Sequence, residues 1–396
     1  MKIPFRLKDI VSSRGLATIY LVTMCTQFVA IEGYGISPLK VALMGFAVVL
    51  LLAKVPYMTK ATLWCSIYMA VVLLCSYMQD YVRFSTLGYL GMFLITYIVF
   101  YNLVYKKHVF SLMYFIQLLR FIILAYFFCL LAQQACVLIG IRNMPFINLY
   151  NQYFLSITKL PVWNIEPSHT ARMLGVFYYA YLRCCEIVEG QRLSLKRIFD
   201  PFHRRITIGY LYVMTTMGSG TAFIVLMIQA LYFVQAKRLW YVVPVFFILY
   251  FVLPLLNIQQ FDRAVNVINA TMTLDADVVK ETDGSASARI VPWLNTLNMD
   301  LTAKETWFGT GTKSKEEGEQ FYRQMKSKIG NIDSYGLISY ILAWILMLSC
   351  CFRFPSFEII MVLAGVGGGV MNIAYAWGML MVFTTIRYFQ TKYKVV

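Results

Sequence analysis

Eleven apolar runs follow one another along the chain, near residues 15–31, 40–56, 61–78, 84–104, 109–141, 171–188, 206–235, 240–257, 334–352, 356–369 and 371–387. Stretches of about 18 residues or more match the thickness of a hydrocarbon bilayer. Inside lipid each backbone N–H and C=O needs a partner within the protein, and a continuous apolar run meets that demand as an α-helix. A membrane barrel would read as short segments of alternating polarity instead. The runs therefore predict an all-α, polytopic integral membrane protein, with 1–396 as a single membrane domain. Composition agrees: 60% of the 396 residues are apolar and 14% are charged, against about a quarter charged in soluble domains.

The first run begins near Gly15 with no small-residue cleavage site after it, so it reads as a transmembrane helix and not as a removed signal peptide. Nine cysteines lie in or beside apolar runs without metal-ligand spacing. They read as small hydrophobes of helix packing, and neither a disulfide nor a metal site is expected.

The formal charge of +16 is unevenly placed. Residues 258–333 hold 9 Lys+Arg and 11 Asp+Glu, a net −2, which leaves 26 basic and 8 acidic residues, or +18, elsewhere. Those basic residues sit in short loops beside apolar runs, where they set membrane orientation and do not make a nucleic-acid surface.

With Lys2, Arg6, Lys8 and Arg14 in the cytoplasm, the pairs Lys54/Lys60 and Lys106/Lys107 follow on the same side. Arg120 divides the 109–141 run, which predicts an interfacial helix over 109–119 and a crossing over 121–141. Within 206–235 the stretch "TTMGSGTA", Thr215 to Ala222, sets two glycines and four hydroxyls in apolar surroundings. Such a break predicts a re-entrant hairpin of two half-helices, tolerated at depth where irregular backbone lines a polar cavity. About ten crossings plus this hairpin result, with both termini cytoplasmic. Short-loop and terminal Lys+Arg then number 21 inside and 5 outside. Two polar regions face out, 142–170 and 258–333. The second, with Trp293, Trp307, Phe308 and Phe321 among its charges, reads as a folded extracytoplasmic cap.

The segment "NIEPSHTARM" opens the sixth run and packs Glu166, Ser168, His169 and Arg172 into seven residues. Pro167 suits a first helical turn, with Glu166 or Ser168 as cap, and His169 and Arg172 then share a helix face. Capping and snorkelling explain any one of these residues. An acid, an imidazole and a guanidinium together at a membrane mouth point instead to a site, because embedded ionisable groups are costly. In the long loop, Arg289 precedes an amphipathic stretch with Trp293, Leu294, Leu297 and Leu301. "FGTGT" then supplies a turn whose backbone amides, with Lys313 beside them, could receive anionic oxygens. An ordinary glycine turn is the plain alternative.

In order, "EPSH" opens a mid-chain helix, "GSGT" breaks the next run, "R-x3-W-x3-L…FGTG" marks the long loop and "NIDSYGLISYILAW" leads out of it. This series, over about residues 160 to 352, resembles the O-antigen polymerase (Wzy-type) and O-antigen ligase superfamily. The resemblance implies a GT-C-like glycosyltransferase in the bacterial cytoplasmic membrane. Its donor would be an undecaprenyl-diphosphate-linked oligosaccharide; it would use no cofactor or metal, and a chain-length regulator would be a further partner. Arg172 and Arg289 would grip the diphosphate, Glu166 or His169 would be the general base, and Lys313, Ser219 and Arg263 would add substrate contacts. The hairpin lacks the arginine that relatives often carry there. The histidines, at 108, 169 and 203, all lie outside the long loop, which favours a polymerase over a ligase acting on lipid A core. From other classes come a lipid-linked oligosaccharide flippase, which ten or more helices and a broken one also fit, and a structural scaffold. No repeat relates the two halves, and the long loop fits a chamber cap better than a transporter.

Overall fold

A computed structural model describes residues 12–26, 37–53, 55–79, 82, 84–149, 159–164, 166–234, 265–266, 269–282, 284–311, 327–367 and 374–394. Among them the protein is helical, with an isolated bridge between Met144 and Leu149 and no extended strand. The first helices are α1 (Ser13–Cys25), α2 (Pro38–Ala53), α3 (Lys60–Tyr77), α4 (Phe84–Tyr105) and α5 (Leu112–Leu138). Next come α6 (Pro167–Glu189), α7 (Pro201–Thr216) and α8 (Gly220–Phe233). The long loop contributes α9 (Ala276–Thr282), α10 (Gly284–Leu297) and α11 (Lys304–Phe308), and α12 (Ile332–Cys350), α13 (Phe357–Val366) and α14 (Ala374–Lys392) follow. All the apolar runs reappear as helices except 240–257, which lies outside the described residues.

Local chemistry sets the helix ends. Ser12 accepts from the Gly15 amide, Ser111 from that of Tyr114, and Thr59 and Thr62 cap α3 reciprocally. Prolines begin α6 and α7, and left-handed glycines, Gly190 and Gly367, close α6 and α13.

Four helices, α3, α4, α5 and α12, are long and apolar enough to cross a membrane. α6 is not among them, although it has 23 residues and 17 of these are buried. It packs against α5, α8 and α14, and α14 in turn packs against α1, α4 and α6. A helix surrounded by protein can carry polar groups that a lipid-facing helix could not, because its neighbours supply their partners.

Around Arg120 the structure corrects the sequence. Instead of an interfacial helix that stops at 119, α5 is continuous through it. The Arg120 guanidinium lies over the Phe202 ring at 4.8 Å, so its charge is accommodated on the start of α7. Phe115, Ile116 and Leu119 are buried, with Phe115 against Phe389 of α14, so this segment belongs to the core.

The expected break in the 206–235 run is present, with Met217–Ser219 between α7 and α8. His203, near the start of α7, meets the Tyr181 hydroxyl at 2.8 Å and Glu189 at 3.2 Å. Near the end of α8, the Tyr232 hydroxyl donates to Glu186 at 2.6 Å. Both open ends of the pair thus meet the last turns of α6, as a hairpin requires. Half-helices of 16 and 14 residues span roughly 24 and 21 Å.

The long loop has a small core of its own, Ala270, Val279, Val291 and Leu294, beneath α9 and α10. α10 begins before the expected amphipathic stretch and ends at Leu297, so Leu301 lies beyond it. The loop docks on α12 through backbone. Thr310 N–H donates to Asp333 O at 2.7 Å, and Gln79 Nε2 bridges the Phe308 and Ser334 carbonyls at 2.6 and 2.7 Å. Within the loop, Thr302 donates its amide and hydroxyl to Asp300, which holds that carboxyl below its ordinary range.

Candidate functional site at the mouth of α6

Pro167 starts α6, and Glu166 stands at its N-cap in extended conformation. Neither Glu166 nor Ser168 caps the helix through its side chain: Ser168 Oγ donates to Glu166 Oε2 at 3.0 Å instead. That leaves the carboxylate at the mouth, 4.0 Å from His169 Nε2. One turn on, Arg172 Nη1 donates to the Tyr375 hydroxyl at 2.7 Å. The His169 and Tyr375 rings lie 4.8 Å apart, so one tyrosine from the first turn of α14 contacts both His169 and Arg172.

Arg172 is the chemically exposed member of the group. Among the described residues no carboxylate pairs with it, and its buried Nε–H has no acceptor. A part-buried guanidinium in that state favours an anionic ligand, because its charge is permanent and its donors form a fork matched to phosphate oxygens.

Buried amides hold the entrance. Gln133 on α5 donates to Ile147 O and Val162 O and accepts from Val162 N. Asn148 donates to Val162 O and Asn164 O, and the Asn164 amide reaches Tyr126 and Thr170. This network ties residues 160–164 to α5 and so sets where α6 begins.

The hairpin tip comes to the same level. Val225 and Gln229 face Gly175, and Tyr232 faces Tyr179, so α6 and α8 run parallel. Five residues back along each helix, about 7.5 Å, Gly220 stands level with Thr170. Ser219, the N-cap of α8, is therefore level with the mouth and is buried, and the nearby Thr221 hydroxyl is buried with no partner among the described residues.

The remaining predicted residues are divided. Arg289 lies on α10, whose C-terminal part bonds to the lead-in of α12 (Asn295 to Ser327 O, and Thr296 Oγ1 from Ile329 N), while its side chain is outside the described residues. Lys313 and Arg263 lie wholly outside them. Of the two readings of "FGTGT", its first amides serve a docking turn: Gly309 N donates to Glu305 O and Thr310 N to Asp333 O. All nine cysteines are free, eight of them buried, in keeping with packing roles. Sequence reasoning missed Tyr375, Gln133, Asn148 and Asn164.

Among the described residues this is an all-helical fold with four helices long and apolar enough to cross a membrane and an arginine–histidine–tyrosine mouth. Comparison with protein-family models, with curated proteins and with solved structures finds no match to this chain.

Proposed function

We propose that the protein is a GT-C-like polymerase of undecaprenyl-diphosphate-linked oligosaccharide repeat units, acting on the outer face of a bacterial cytoplasmic membrane. The observation that supports this reading most is Arg172, a part-buried guanidinium at the mouth of α6 with no carboxylate partner among the described residues. In the reaction, an acceptor sugar hydroxyl attacks the anomeric carbon of the donor with inversion. The bond to the carrier diphosphate breaks, and the diphosphate leaves with its electron pair. Arg172, joined by Arg289 from the cap, would hold that leaving group, where preorganised donors act on charge as it develops. The hydroxyl proton passes to His169 or Glu166, which stand 4.0 Å apart at the same mouth. Histidine is suited to this role near neutrality, with the carboxylate orienting it and stabilising its charged form.

Incubating purified protein with a carrier-linked repeat unit and resolving the products on a gel tests the proposal. Ladders should form without added lipid A core, and Arg172→Ala and Arg289→Ala should abolish them. A parent protein that makes no ladder, or an alanine variant that makes the full one, would contradict it.

A further inference from the structure

A second feature lies among α1, α2 and α5: a cavity of about 340 Å³ with largely apolar walls, at the lower end of the ~300–1,000 Å³ typical of small-molecule sites. Two of its lining side chains, Leu39 and Phe121, are also exposed on the bundle surface, so it reaches the face that a bilayer would cover. At one end stands Lys40, 5% exposed, in the first turn of α2.

Lys40 Nζ donates to Thr26 O at 2.7 Å, just past the end of α1, and no described carboxylate pairs with it. That contact uses one of three ammonium donors. The position is electrostatically poor for a cation, being buried and at a helix N-terminus. A buried cation above an apolar cavity that opens toward lipid matches one chemistry, an anionic head on an apolar chain.

The cavity also adjoins the mouth. Cys25 lies so close to Gly378 of α14 that an added Cβ there would meet its Sγ at 2.6 Å, and Tyr375 is three residues before Gly378. Trp163, which lines the cavity, is three residues before Glu166.

We propose that this cavity holds the phosphate-proximal apolar segment of a lipid diphosphate, with Lys40 as a contact to its head. The isoprenoid identity of that lipid rests on the proposed function, whereas the anionic-lipid class rests on the cavity alone. A volume of this size takes the first few isoprene units, and the rest of the chain would run out past Leu39 and Phe121 into the bilayer.

Farnesyl diphosphate serves as probe, with inorganic diphosphate and farnesol as its separate halves and a short-chain phosphatidylglycerol as competitor, and binding to delipidated protein is read by native mass spectrometry. Farnesyl diphosphate should bind more tightly than either half. Thr23→Phe, which fills the cavity, should weaken it about tenfold without changing inorganic diphosphate binding. Lys40→Met should weaken it about tenfold as well, the scale of one charge-assisted contact. Ala125→Leu fills the same space from α5 and stands in if the Thr23 variant does not fold. Binding unaffected by both cavity-filling variants, no advantage over inorganic diphosphate, or displacement by phosphatidylglycerol at equal affinity would overturn the proposal. The two readings fail separately: parent-level ladders from Thr23→Phe count against the cavity, while cavity-sensitive binding without any ladder counts against the polymerase.

Discussion

Tyr375 organises the mouth by serving two neighbours, its hydroxyl accepting a hydrogen bond from Arg172 and its ring facing His169. Tyr375→Phe keeps the ring and frees the guanidinium, so glycan transfer should fall about tenfold while thermal stability changes little, as one lost hydrogen bond implies. Arg172→Lys keeps the charge and loses the fork, and should also be impaired; parent-level transfer would mean that charge alone suffices. Asn148 matters for folding instead. Asn148→Ala would strand the carbonyl of Asn164, at about 1–3 kcal/mol for an unsatisfied buried group, and leave Val162 O to Gln133 alone. Its melting temperature in detergent should drop clearly, and an unchanged one would show that the network is dispensable. The cluster at 166–172 was legible because its charges break an apolar pattern. Tyr375 was not, since a tyrosine among 28 carries no signal and its partner lies 203 residues away. Gln133 and Asn148 were missed for a related reason: an amide at the edge of an apolar run looks the same whether it faces solvent or three carbonyls.

Among the elements, the contact between the long loop and α12 is tightest where backbone meets backbone. Gly336, at φ 81°, leaves so little room that an added Cβ would stand 1.9 Å from Trp307 O, and one on Gly309, at φ 77°, would stand 2.6 Å from Tyr335 N. Either alanine combines a disfavoured backbone conformation with a backbone clash. Gly336→Ala should therefore loosen the loop, measured as faster proteolysis at 298–311, while the transmembrane bundle remains folded. The hairpin of α7 and α8 has its own test. With Cys136, the partly exposed cysteine, changed to serine, single cysteines at Arg204 and Val234 should react with an impermeant thiol reagent from the same side. Labelling from opposite sides would mean that the run crosses. Here the sequence was informative, because glycines and hydroxyls in an apolar run mark where a helix stops. At Arg120 the same logic failed: a charge inside a run need not end a helix when an aromatic ring such as Phe202 lies ready to cover it. At "FGTGT" the sequence left two readings open, since a glycine-rich loop does not reveal whether its amides are spoken for.

At the scale of the molecule, order in the chain and order in space diverge. The apolar runs announced an all-helical bundle, but nothing in them distinguished centre from periphery, because burial depends on which helices happen to be neighbours. The central helix, α6, is a poor candidate to enter a bilayer alone. Glu186 near its end relies on Arg183, on the Leu193 amide and on the Tyr232 hydroxyl, and Arg172 at its start relies on Tyr375. Two of these partners, on α8 and α14, are translated well after α6 leaves the ribosome. A released chain truncated after residue 200 should consequently hold 167–189 outside the lipid or only loosely within it, and the full chain, which supplies Tyr232 and Tyr375, should draw it in. The middle of this protein would be finished last.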